Sequence, residues 1–190
     1  MKKIAIFASG EGTNAHNIIN YFKHSTTIKV ELVLSNNSKA NVLKRASDEG
    51  VKTVVFDKQS FYENLTTINI LQSKQIDLIV LAGFLWKVPE NLVNTFSHKI
   101  INIHPALLPK FGGKGMYGMN VHKAVVEGKE TQTGISIHFV NNNYDEGAII
   151  AQYKCTVEPT DTSEIVAHKV HELERQFFPK EIEKVLMNQD

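Results

Sequence analysis

The run Ile100-Ile101-Asn102-Ile103-His104-Pro105-Ala106-Leu107-Leu108-Pro109 holds the residues best placed for chemistry. A β-branched apolar stretch ends in an amide, Asn102, and an imidazole, His104, after which proline stops the strand. The amide can donate or accept a hydrogen bond, and the imidazole can also move a proton near neutrality. In an open α/β sheet the carboxyl end of a strand is where ligands bind. The same spacing also fits a plain strand whose last polar residues cap a turn. A second stretch, Ser9-Gly10-Glu11-Gly12-Thr13-Asn14, lies between an apolar run and a helical pattern. Its glycines let the backbone approach an anion, and the free amides of the helix start point at it. The stretch is neither G-x-G-x-x-G nor a lysine-bearing P-loop, so a mononucleotide-like phosphate fits better than a dinucleotide or a magnesium triphosphate. An ordinary βα turn is the competing reading.

These residues need elements to carry them. Lys3 to Ala8 reads as a buried parallel strand, and Ala15, Ile18, Ile19 and Phe22 mark a helix opening near Thr13. Lys29 to Leu34 is a second strand, 40 to 49 a helix closed by Gly50, and Thr53 to Phe56 a short strand. A helix from Phe61 to about Lys74 follows, then the apolar strand Asp77 to Ala82 and a helix with Pro89 as its first residue. Strands alternating with helices predict a doubly wound, mostly parallel twisted sheet of Rossmann-like α/β class. The second half differs. A glycine-rich loop spans Gly112 to Gly118, and Asn120 to Glu127 forms a short helix bearing His122. Two alternating strands, Gly134 to Val140 and Ala148 to Val157, predict an antiparallel addition. Ser163 opens the last helix, which Pro179 should kink or restart. One domain, 1–190, is expected, with a phosphate-binding half over 1–100 and a catalytic half over 101–190.

The totals exclude several classes. Lys+Arg 21 against Asp+Glu 20 gives a net charge of +1, too balanced for a nucleic-acid coat. A single cysteine, Cys155, precludes an intrachain disulfide and, set in an apolar-polar alternation, reads as packing. No cysteine cluster or paired-histidine spacing suggests a metal. The apolar start, Ile4 to Ala8, is too short for a signal peptide, and no run reaches membrane-spanning length. A soluble cytoplasmic protein acting on small molecules, with no membrane partner, is expected, as a monomer or a homodimer.

The whole chain resembles the phosphoribosylglycinamide formyltransferases, folate-dependent enzymes of purine synthesis. The matching motifs are Ser9 to Asn14, Leu81-Ala82-Gly83-Phe84, Asn102 to Pro109, Gly134 to Val140, and Tyr144-Asp145-Glu146-Gly147. The Asn-x-His-Pro-x-Leu-Leu-Pro run with a later Asp-x-Gly is specific to enzymes using 10-formyltetrahydrofolate, though methionyl-tRNA formyltransferase, formyltetrahydrofolate hydrolase and sugar N-formyltransferases share it. The resemblance implies formyl transfer from that folate, as co-substrate, to the amine of glycinamide ribonucleotide. It implies Asn102, His104 and Asp145 as catalytic residues. Gly12, Thr13 and Asn14 would hold the substrate's phosphate, with Pro105, Ala106, Leu107 and Glu174 around its ribose and amine. Leu85, Trp86, Lys87 and Val88, closed by Val140, Asn141, Asn142, Asn143 and Tyr144, would take the pteridine.

Such a transfer passes through a tetrahedral carbon bearing an oxyanion, which needs aimed donors and a proton route to the leaving nitrogen. His104, if protonated, would donate to the formyl oxygen, with Asn102 as a second donor. Asp145 would raise the imidazole's pKa and relay a proton through water. His138 reads as structural or as support for these three, and His122 as a possible neighbour. Two alternatives stand: formyl transfer to another amine, such as a nucleotide-linked amino sugar, and a non-catalytic folate or nucleotide module. The chain departs from the family at Gly113 to Gly118, at Asn120 where a histidine is common, and around Gln59 where an arginine often meets the folate tail.

Overall fold

The computed structural model describes residues 1–188. In chain order the elements are β1 (Lys2–Phe7), α1 (Thr13–Phe22), β2 (Ile28–Ser35), α2 (Asn41–Asp48), β3 (Lys52–Val55), α3 (Thr66–Ser73), β4 (Leu78–Leu81) and α4 (Glu90–Thr95). They continue with β5 (Ile100–His104), α5 (Met119–Glu127), β6 (Gln132–Phe139), β7 (Ile149–Thr156) and α6 (Ser163–Met187). The strand order is β3-β2-β1-β4-β5-β6-β7 in a seven-stranded sheet, mostly parallel with an antiparallel end, as the sequence pattern predicts. The chain divides into two compact units, Met1–Ile101 with residues 183–188, and Asn102–Ile182.

In the first unit β1 pairs in parallel with β2 and β4, and β2 with β3. Ile4, Ala5, Ile6 and Phe7 are wholly buried, which only a strand covered on both faces allows. Helix α1 buries Ala15, Ile18, Ile19 and Phe22, the stripe expected from helical spacing. Two sequence expectations are corrected here. The helix anticipated from Phe61 to Lys74 is instead a π-helical turn, Gln59–Glu63, followed by α3. Asn64 breaks it: its backbone is extended and its side chain accepts from the Thr66 amide at 3.0 Å, restarting the helix. Pro89 is not the first helical residue but an extended cap before α4, its carbonyl accepting from Val93 at 3.1 Å.

In the second unit β6 and β7 pair antiparallel with a register shift between Ile137 and His138. Two glycines are obligatory for this pairing. A Cβ on Gly134 would sit 1.8 Å from the Tyr153 carbonyl oxygen, and one on Gly147 would sit 1.7 Å from that of Phe139. Helix α6 runs unbroken across Pro179, contrary to the expected restart. Proline removes one amide donor, but Phe178 and Ile182, both fully buried, anchor the helix on either side of it.

Candidate active site

Strand β5 presents Asn102 half-buried and His104 at 3% exposure as it reaches its carboxyl end. The loop before β7 brings Asp145 to them, so the three residues expected to act together do meet. The Asp145 carboxylate stands 3.6 Å from His104 Nδ1 through Oδ2 and 3.6 Å from His138 Nε2 through Oδ1. Asn102 Nδ2 lies 3.1 Å from His138 Nε2, and His138 Nδ1 lies 2.8 Å from the Phe139 carbonyl. A carbonyl only accepts, so His138 donates from Nδ1, and its Nε2 stands within reach of both the Asn102 amide and the Asp145 carboxylate. His138 thus lies between Asn102 and Asp145, in contact with both.

His104 Nε2 donates to the Phe111 carbonyl at 2.7 Å, and the Gly113 amide donates to Asp145 Oδ2 at 2.9 Å. Burial is the dominant influence on the His104 ring and depresses its proton affinity below the ordinary value; Asp145 and the Phe111 carbonyl pull the other way without winning. This corrects the expectation of a raised imidazole pKa. The ring rests neutral with its proton on Nε2, and Nδ1 faces the Asp145 carboxylate. Burial likewise opposes ionisation of Asp145, but its interactions with the His138 ring and the Gly113 amide outweigh it and hold the carboxyl below its usual range. The pair is thus an anion beside a neutral base, poised to take up positive charge as negative charge develops nearby.

Sequence reasoning assigned no role to the clasp that holds the Pro105 to Pro109 turn. Ser136 Oγ donates to the Ala106 carbonyl at 2.7 Å and accepts from the Leu108 amide at 2.9 Å. Gln152 Nε2 donates to the Leu108 carbonyl at 3.0 Å and to Ser136 Oγ at 2.8 Å. A signal did exist. Ser136 and His138 share a face of β6 by alternation, and Gln152 is the register partner of Ser136 on β7. The Phe111 carbonyl left no trace in the sequence, being backbone.

The other expected residues are placed as follows. Gly12 caps α1 in the left-handed region (φ 72°), where a Cβ would meet Val42 Cγ2 at 2.4 Å; Thr13 and Asn14 begin the helix. Pro105 and Leu107 are half-buried, while the Ala106 side chain is fully buried and its carbonyl engaged by Ser136. Glu174 is buried on α6. Leu85 is exposed, Trp86 stacks on Tyr62, and Val88 faces the core. Two backbone groups of this stretch are engaged within the chain: the Leu85 amide by Ser9 Oγ at 3.0 Å, and the Lys87 carbonyl by the Tyr62 hydroxyl at 3.0 Å. Val140 is half-buried and Asn141, Asn142, Asn143 and Tyr144 are exposed. His122 is 2% exposed, its Nδ1 has no hydrogen-bond partner, and its ring edge meets His171 at 6.1 Å. Burial foremost, then the charges of His171 and His104, push its pKa down to about 4. Among the described residues no group of three His, Cys, Asp or Glu is arranged to hold a metal.

Residues 2–182 match the model of the formyl transferase family. The chain is 38% identical to the phosphoribosylglycinamide formyltransferase of Haemophilus influenzae over 94% of its own length and 84% of that relative. It is 36% identical to the chloroplastic phosphoribosylglycinamide formyltransferase of Vigna unguiculata over 96% of its own length, but spans only 60% of that plant protein. In three dimensions it is similar to the phosphoribosylglycinamide formyltransferase of Bacillus halodurans, with a TM-score of 0.89 at 32% identity, covering 100% of this chain and 97% of the other. The polar cluster on β5, β6 and the loop before β7 is thus set in a chain that belongs to the formyl transferase family, among its phosphoribosylglycinamide formyltransferases.

Proposed function

We propose that this chain transfers the formyl group of 10-formyltetrahydrofolate to the amine of glycinamide ribonucleotide, giving the formylated nucleotide and tetrahydrofolate in purine synthesis. The observation carrying this reading is the Asp145 carboxylate 3.6 Å from the ring of a nearly fully buried His104, beside the Asn102 amide. A binding module has no need of that arrangement, whereas formyl transfer requires it.

The amine nitrogen attacks the formyl carbon, and the carbonyl oxygen becomes an alkoxide. Asn102 Nδ2 and His104 supply donors to that oxygen. His104, neutral with its proton on Nε2, donates that hydrogen bond as the negative charge grows, and Asp145 beside Nδ1 stabilises the positive charge this builds on the ring. The new ammonium loses its proton to water hydrogen-bonded to Asp145, and that proton reaches folate N10 as the C–N10 bond breaks. For His104 Nε2 to serve as the donor, the Phe111 carbonyl must yield its hydrogen bond to the formyl oxygen. Gly12, Thr13 and Asn14 bind the substrate's phosphate through backbone donors at the start of α1, with Pro105 to Leu107 and Glu174 nearer its amine. The pteridine lies against Leu85 to Val88 and Val140 to Tyr144. The reaction is assigned to the cytoplasm, in a monomer or homodimer.

The test follows folate absorbance while purified chain and 10-formyl folate are offered glycinamide ribonucleotide or a nucleotide-linked amino sugar. Turnover of the ribonucleotide is expected; turnover of the amino sugar alone transfers the reading to that substrate, and binding without product makes the chain a sensor.

A further inference from the structure

The glycine loop that is assigned the substrate's phosphate carries a carboxylate of its own. Glu11 lies between Gly10 and Gly12, one residue from the proposed anion seat, where an unrestrained negative charge would repel a phosphate. It is not unrestrained. Asn41 Nδ2 donates to both of its oxygens, at 2.8 and 3.0 Å, and Arg45 Nη2 stands 3.9 Å from Oε2. Both partners belong to α2, whose first turn contains no acid of its own. A carboxylate at that end also complements the helix dipole. The same turn grips the loop's backbone: the Val42 amide donates to the Gly10 carbonyl at 3.1 Å, and Gly12 packs against Val42 too closely for a Cβ.

From this we infer that Asn41 and Arg45 are positioning residues: they latch Glu11 onto the start of α2 and so keep the loop's own charge off the phosphate seat. Neither touches the substrate. Their effect is on affinity for the phosphorylated amine, and it reaches the seat only through Glu11. The inference rests on the reading of Gly12 to Asn14 as the phosphate seat.

The test compares the parental chain with Asn41→Ala, Arg45→Met, Glu11→Gln and the double variant Glu11→Gln/Asn41→Ala. Because Glu11 is well exposed, release of its charge should raise the KM for glycinamide ribonucleotide in N41A only about three- to tenfold, with kcat unchanged. R45M should shift KM the same way by less. Salt at about 0.5 M should shrink both differences by screening. The discriminating arm is the double variant: with the charge gone, its KM should return to within about twofold of parental, which a loop merely loosened by losing Asn41 would not do. E11Q alone should leave KM unchanged or lower. An unchanged KM in N41A, or a double variant as impaired as N41A, overturns the latch. Failure of the parental chain to turn over glycinamide ribonucleotide overturns the functional reading itself, and the latch with it.

Discussion

His104 and Asp145 are individually unfavourable residues to bury, and their proximity is what makes both tolerable. Removing either leaves the other with an uncompensated polar group and, in the proposed reaction, would deprive the alkoxide of stabilisation. Asn102→Ala, His104→Ala and Asp145→Ala should each lower kcat by about 100- to 1000-fold while circular dichroism remains parental. Near-parental turnover in all three would reassign the chemistry. His122 offers a separate prediction in stability. Its folded pKa, about 4, lies below the unfolded value near 6.5, so the unfolded chain takes the proton first. Its contribution is therefore full above about pH 6.5 and is lost as pH falls toward 4, amounting to about 3 kcal/mol by the end of that window. Urea unfolding at pH 7 and pH 4.5 should show this acid loss in the parental chain and a smaller loss in His122→Phe.

At the level of elements, the site depends on strands that carry no catalytic group of their own. Ser136 on β6 satisfies the Ala106 carbonyl and the Leu108 amide together. Ser136→Ala strands both and should cost about 1–3 kcal/mol in unfolding free energy. It should also reduce turnover at least tenfold, since the turn after His104 loses its hold. Calorimetry with a parallel activity assay separates the two effects. Helix α6 gives the opposite sign. Pro179→Ala restores the missing amide donor toward the Arg175 carbonyl inside a continuous helix and should raise stability by about 1–3 kcal/mol, seen as a higher Tm. A fall in Tm would mean that the ring's packing outweighs the hydrogen bond.

At the scale of the whole molecule, the proposed reaction uses only proton transfer and hydrogen bonding. Excess chelator should therefore leave turnover unchanged, and a loss reversed by a divalent cation would refute the metal-free reading. The order of elements, the buried β1, the amphipathic α1 and the antiparallel β6–β7 pair were all legible in the sequence, because hydrophobic period and glycine placement are local properties. That Asn102, His104 and Asp145 come together was expected only through the family resemblance, since spacing alone fits a capped strand end equally well. What only the tertiary structure decided lies in the contacts between distant segments. The break at Asn64 and the continuity through Pro179 followed from which neighbours could satisfy or bury the chain there, and the Ser136–Gln152 clasp from strand register. The protonation of His104 turned on a balance that spacing cannot reveal: a carboxylate favours the cation, but burial of the ring, a sum over everything packed around it, favours the neutral form and prevails.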